Sequence, residues 1–436
     1  CLDASAGYYV DSTAATSQTE CEAGTYQPST GQTSCIEADP GYYVPNEAAT
    51  SQNPCAAGTY QPDEGQESCE DADAGYYVPA TAATSQTACD LGTYQDQTGQ
   101  ASCIDAPAGT YVDTTAATSP TECALGTYQP STGQTSCDDA DAGYYVPNTG
   151  SASQTACAAG TYQSSTGQSS CLDASAGYYV SSTAATSQTA CSAGTYQPDE
   201  RQTSCIDADT GHYVPTTAAT SQTPCDLGTY QDQTGRIICV DAPAGHYVDT
   251  TAAIDPTPCS LGTYQPAAGQ TDCLTASSGY YVDASGSADQ TPCPAGTYNP
   301  LSGSVSLAAC IEADIGHHVP SEGSTYQTEC LAGSYQNVIG QSSCLPADPG
   351  YYVPSDASWS QVGCTAGAYQ PLQGQTGCVD ASAGHYVPDH ASAAQFECDL
   401  GSYQPMTGQV DCILASIGYY VDSTASTEQT ACPPGT

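Results

Sequence analysis

Apolar side chains along this chain come in twos and threes and never in long runs. Thr25-Tyr26-Gln27 and Tyr42-Tyr43-Val44 typify the clusters, and small polar stretches such as Ser12-Thr13-Ala14-Ala15-Thr16-Ser17 separate them. No helical periodicity is present, and no apolar run approaches the roughly 20 residues that a membrane-spanning helix needs. The pattern predicts short β-hairpins. Thr25-Tyr26-Gln27 and Gln32-Thr33-Ser34-Cys35 are β-compatible runs of four or five residues at most. They flank Pro28-Ser29-Thr30-Gly31, where Pro presets the first corner of a type I turn and Gly accepts positive φ. The Gly recurs at Gly65, Gly99, Gly133 and Gly167, whereas Arg201 stands in its place once, so that turn must strain or change type. The alternate segment, Tyr42-Tyr43-Val44-Pro45 through Ala48-Ala49-Thr50-Ser51, is expected to follow a similar path with a looser turn.

These clusters keep a fixed period. A Gly-x-Tyr step recurs every 17 residues, as at Gly7/Tyr9, Gly24/Tyr26, Gly41/Tyr43 and Gly58/Tyr60, with a single slip of three residues between Gly296 and Gly316. Cysteines alternate at separations of 20 and 14, so two modules make a 34-residue repeat, present in about 13 copies over residues 1–436. Modules of this size are expected to bury surface only against their immediate neighbours. The expected fold class is therefore small disulfide-rich repeats: an elongated linear rod of tandem 17-residue β-hairpin modules, with little regular secondary structure, no helix and no central core. Each module should advance the axis by roughly 10 to 17 Å. The chain reads as a piece of a longer one, and residues 293–378 hold its most divergent modules.

Cys21-Glu-Ala-Gly-Thr-Tyr-Gln followed by Gly31-Gln-Thr-Ser-Cys35 resembles the cysteine-rich repeat of the ephrin-receptor-like and growth-factor-receptor-like family, in which Cys-x-x-Cys-x-x-Gly-x-Tyr is iterated. Against that pattern half the cysteines are missing. Ala stands at Ala4, Ala38, Ala72 and Ala106, and Gln at Gln18, Gln52, Gln86 and Gln154. The resemblance implies that bonded pairs were lost together, which leaves Cys21 with Cys35, Cys55 with Cys69, Cys89 with Cys103, Cys123 with Cys137, Cys157 with Cys171 and Cys191 with Cys205. In the same register Cys225 pairs with Cys239, Cys259 with Cys273, Cys293 with Cys310, Cys330 with Cys344, Cys364 with Cys378 and Cys398 with Cys412. The competing register joins Cys1 to Cys21 and Cys35 to Cys55 and uses all 26 cysteines; the short one strands Cys432 and sends Cys1 to a partner upstream.

Composition narrows the function classes. Twenty-six regularly spaced cysteines indicate disulfides formed outside the cytosol, in a chain at the cell surface or secreted. Zinc fails because no Cys-x-x-Cys survives. One Phe, one Trp and one Met leave no large core, so disulfides, worth about 3 kcal/mol for a loop of about 15 residues, are expected to substitute for one. Forty-seven acidic residues face Arg201 and Arg236 alone. Coulomb repulsion excludes nucleic acid and anionic membrane surfaces as partners. The expected partners are copies of the chain, adjoining modules and covalent O-glycans, with no membrane insertion in this segment.

Four residue sets carry candidate chemistry. The regular Tyr beside each Gly reads as a packing ladder along the modules. Two carboxylates one residue apart, at Glu37/Asp39, Asp71/Asp73, Asp139/Asp141 and Asp207/Asp209, offer hard oxygen ligands for calcium, the one cofactor considered, beside the simpler reading of a solvated acidic edge. Ser12, Thr13, Thr16, Ser17, Thr50, Ser51, Thr84 and Ser85 lie in Ser/Thr/Ala stretches of the composition of O-glycosylated stalks. None of Asn46, Asn53, Asn148, Asn299 and Asn337 begins an N-glycosylation sequon. His212, His246, His317 and His385 stand where other copies carry the first Tyr, His318 replaces a ladder Tyr, and His390 lies outside the step. No enzyme is expected. The expected function is an extracellular structural rod, part of a microbial or algal surface fibre, stalk or appendage. The alternative is a ligand- or glycan-binding ectodomain of an adhesin or receptor, with the divergent modules as its site.

Overall fold

The computed structural model describes residues 3–435; Cys1, whose partner was expected upstream, lies outside the described residues. Among the described residues, contacts divide the chain into two units. One runs to Ala208 and takes in Val214–Gln222; the other holds Asp209–Tyr213 and the chain from Thr223 onward. Each unit is a series of antiparallel hairpins of two-residue strands, such as Thr25–Tyr26 with Ile36–Glu37 and Tyr42–Tyr43 with Asn53–Pro54. The only helical element described is a 3₁₀ turn at Leu307–Ala309.

The second strand lies further along than the sequence suggested. Thr25 pairs with Glu37 and Tyr26 with Ile36, so Gln32-Thr33-Ser34-Cys35 belongs to the loop and the strands are shorter than four or five residues. The backbone groups of that loop are engaged elsewhere. Gln27 N donates to Ala49 O at 3.0 Å and Gln32 O accepts from Val10 N at 3.0 Å, both bonds between modules. Edge groups that would lengthen one ladder are satisfied by joining successive modules.

Contacts also reach further than the next module. Ala48 N donates to Cys21 O at 2.8 Å, which joins module 41–57 to module 7–23, and Ala357 N repeats the bond to Cys330 O at 2.8 Å in the second unit. A Cβ on Gly58 would meet the carbonyl carbon of Gly99 at 2.9 Å, again two modules away. The rule of neighbour-only contact is thus replaced by one of first and second neighbours.

The half without a disulfide does not have a looser turn. Ala48 takes φ 55°, and its N–H makes the same bond that Gly65 N makes to Ala38 O in the disulfide half. Arg201 keeps the turn as well, at φ 64°, with its N–H on Ala174 O at 2.7 Å. The structure resolves the alternative in favour of strain, since a side chain at positive φ is disfavoured.

A narrow core does exist. The third residue after each Gly alternates Gln and Val, as Gln27, Val44, Gln61 and Val78, while Cys21, Ala38, Cys55 and Ala72 occupy the other inward position; all are buried. Two buried side chains per module form this column. A buried Val contributes about 1.5–3 kcal/mol, of the same order as one disulfide loop. Disulfides therefore share the stabilisation with this column instead of replacing a core. The buried Gln amides are satisfied within their own loops: Gln61 Nε2 donates to Ser68 O at 2.9 Å and its Oε1 accepts from Asp63 N at 3.1 Å.

The three inserted residues are absorbed in one loop. They lengthen the Cys293–Cys310 separation to 17 and form the 3₁₀ turn, yet Thr297 still pairs with Glu312 and Tyr298 with Ile311. Asn299 replaces the buried Gln and donates to Ser304 Oγ at 2.8 Å.

Candidate functional site

Twelve disulfides join Cys21 to Cys35, Cys55 to Cys69 and so on to Cys398–Cys412, at a separation of 14 except for Cys293–Cys310. The first sulfur of each is buried in the column, whereas the second, as at Cys35 and Cys69, is half-buried at the surface. Each bond clamps a module to the one before it, immediately ahead of the second strand. Cys432 is free and exposed.

In the cystine-free halves a hydrogen-bonded pair takes the place of the disulfide. Gln52 Oε1 accepts from Asp39 N at 2.7 Å while Gln52 Nε2 donates to Asp39 Oδ2 at 2.7 Å. Gln86 with Asp73 and Gln154 with Asp141 repeat both bonds. Where Ser replaces Asp, as at Ser175 with Gln188, the backbone bond remains, at 2.8 Å. The sequence carried a signal for this device: Pro107, which has no N–H to offer, coincides with Pro120 in place of Gln, and Pro243 coincides with Pro256. Donor and acceptor are absent together.

This pairing bears on the acidic edges. In three of the four candidate sets the two carboxylates have different partners. Glu37 lies over the turn at Gly65, Asp71 over Gly99 and Asp139 over Gly167, while Asp39, Asp73 and Asp141 hold the Gln amides. Asp207 lies on the exposed strand Ile206–Asp207, and Asp209 is exposed with an interaction of its own. At the first three edges one oxygen of the second carboxylate is already engaged by a Gln amide.

The Tyr positions do form a repeated surface feature. Tyr9 lines a shallow groove with Ser34 and Cys35, Tyr111 one with Ser136 and Cys137, and Tyr179 one of about 430 Å³ with Ser204 and Cys205. Each ring thus stands beside the half-buried sulfur of the next module. The first Tyr of the doublet reaches further: the Tyr280 ring is within 3.1 Å of where a Cβ on Gly323 would sit. Ser12, Thr13, Thr16, Ser17, Thr50, Ser51, Thr84 and Ser85 are all exposed, in the loops between paired strands.

Both arginines lie inside closed loops, Arg201 between Cys191 and Cys205 and Arg236 between Cys225 and Cys239. Arg201 Nε is 3.7 Å from Asp173 Oδ1 with both side chains exposed, so that ion pair contributes little. Trypsin acting on the native chain should therefore add water at these bonds without releasing a fragment. A single band before reduction and three after it is the expected result on a gel; fragments before reduction would contradict the disulfide placement.

Hairpin geometry, spacing and cystines define a cysteine-rich tandem-repeat protein of the ectodomain type, folded in an oxidising, extracellular setting. Residues 75–123 match the family model described as tyrosine-protein kinase ephrin type A/B receptor-like, and the module seen there recurs through both units. No curated protein matches the chain. No described helix is long and apolar enough to cross a membrane.

Proposed function

We propose that this chain is an extracellular structural segment, a stretch of surface fibre, stalk or appendage that carries O-linked glycans and performs no catalysis. The observation that carries this reading is uniformity: within each unit the same backbone bonds recur module after module, as Gly24 N to Val44 O and Gly333 N to Val353 O, both at 2.8 Å. A recognition site usually needs one module to differ from the rest, whereas a spacer needs them alike. The exposed Ser/Thr loops recur with the same period and supply acceptors along the whole length. A net charge of −45 suits contact with solvent and cations and opposes lateral association at low salt. One observation favours a binding role for the divergent modules instead: Trp359 is 62 % exposed.

Immunogold electron microscopy of the cells that make the chain, combined with intact mass before and after chemical deglycosylation, tests the proposal. Label along thin extracellular filaments and a mass that falls to that of the bare polypeptide are expected. Label on dispersed receptors would overturn the structural reading, and an unmodified mass would remove the glycans.

A further inference from the structure

One rung of the tyrosine ladder carries an imidazole. His318 occupies the position held elsewhere by Tyr, in the strand His317–His318, and its Nδ1 lies 3.1 Å from Cys344 Sγ of the Cys330–Cys344 disulfide. The ring nitrogen and both sulfurs lie within 4.8 Å of one another. Cys330 is buried, while Cys344 is half-buried and faces a groove of about 420 Å³ lined also by Pro320, Glu329 and Leu331. The charged groups of this groove are His318 and Glu329. The facing strand is Thr328–Glu329, and the loop that brings Cys344 contributes the uncharged Ser342 and Ser343. In the comparable grooves at Cys137 and Cys205 the neighbour is Tyr111 or Tyr179, which cannot carry positive charge.

We propose that Cys330–Cys344 is a thiol-exchange site, the disulfide of this chain that small dithiols open first. The thiolate of a dithiol attacks Cys344 Sγ, the sulfur facing the groove; the S–S bond breaks and Cys330 leaves as a thiolate that takes up a proton. The second sulfur of the reagent then attacks the first, closing a cyclic disulfide and expelling Cys344 as a thiolate. The protein disulfide is reduced by two electrons and the dithiol is oxidised by two. The His318 imidazole, with Nδ1 3.1 Å from Cys344 Sγ, stabilises the departing thiolate whenever it carries a proton, which both speeds the second step and favours the reduced pair. Tyr at the same position offers no such charge.

The test equilibrates the full native chain in a series of dithiothreitol redox buffers, alkylates free thiols and maps them by mass spectrometry. Apart from the already free Cys432, Cys330 and Cys344 should be labelled first. Their reduction constant should exceed that of the other disulfides by about tenfold, or about 30 mV for a two-electron couple. The His318→Tyr variant, which restores the residue that other modules carry and so retains the fold, should bring this pair into line. Opening in step with the others, prior opening of the longer Cys293–Cys310 loop, or an unchanged lead in His318→Tyr would each overturn the proposal.

Discussion

Gly58→Ala should be among the most damaging single substitutions in the chain, at about 3 kcal/mol or more of local stability. Gly58 sits at φ 96°, a conformation that costs an L-residue roughly 1–2 kcal/mol. The added methyl would also overlap the carbonyl group of Gly99, which belongs to the backbone two modules away and cannot swing aside. The same N–H donates to Val78 O at 2.8 Å, so retreat of Gly58 breaks a bond to the intervening module as well. Loss of amide protection around residues 58–100, measured by hydrogen exchange against the parent, is the expected readout. Gly31→Ala is the control: nothing lies within 4 Å of its added Cβ, and Ala48 already tolerates positive φ at the equivalent turn. Equal effects for the two variants would refute the second-neighbour contact as the cause.

The second large effect concerns the exchange of a disulfide for an amide pair. Removing Cys89–Cys103 as Cys89→Ala/Cys103→Ala should cost about 3 kcal/mol, the chain-entropy value for a loop of about 15 residues. Cys89 is followed by Asp90, just as Ala38 is followed by Asp39. The double variant Cys89→Ala/Cys103→Gln should therefore rebuild the arrangement of Gln52 on Asp39, with one bond to the Asp90 N–H and one to its carboxylate. Hydrogen bonds to a charged group contribute about 1.5–3 kcal/mol, so this variant should recover about half or more of the loss. Chemical denaturation followed by hydrogen exchange at residues 89–106 distinguishes the two variants. No difference between Gln and Ala at position 103 would mean that the Gln–Asp pairs contribute nothing to stability.

Much of the fold was legible because the repeat multiplies every signal. Gly-x-Tyr at a fixed step, turn residues between short β-compatible runs and an absence of helical periodicity pointed to hairpin modules without reference to packing. The misplaced second strand shows where local reading stops. Gln32-Thr33-Ser34-Cys35 has adequate strand propensity, but Gln32 O accepts from Val10 N of another module and Ser34 O from the Gln27 amide, and propensity carries no information about those choices. The Ala48 turn differs from expectation for a similar reason: Ala is a poor residue for positive φ, and the tertiary bond from Ala48 N to Cys21 O holds it there regardless. The Gln–Asp pairs were visible in principle through the joint appearance of Pro107 with Pro120. Against the family pattern Gln52 reads as the remnant of a lost cysteine, and only the structure shows it as the replacement. Likewise Glu37 and Asp39 look alike as a charge pattern, and only geometry shows that one covers a turn while the other holds an amide.

Each disulfide joins a module to the one before it, and every module stacks on those one and two steps away. Peptide mapping of the unreduced chain tests this most directly, with digestion by pepsin at acid pH, where thiolate exchange is suppressed. Linked peptides joining Cys21 to Cys35, Cys55 to Cys69 and their equivalents through Cys398 to Cys412 are expected. Linked peptides joining Cys35 to Cys55 would contradict it, because that register closes the alternate halves, where the Gln–Asp pairs stand.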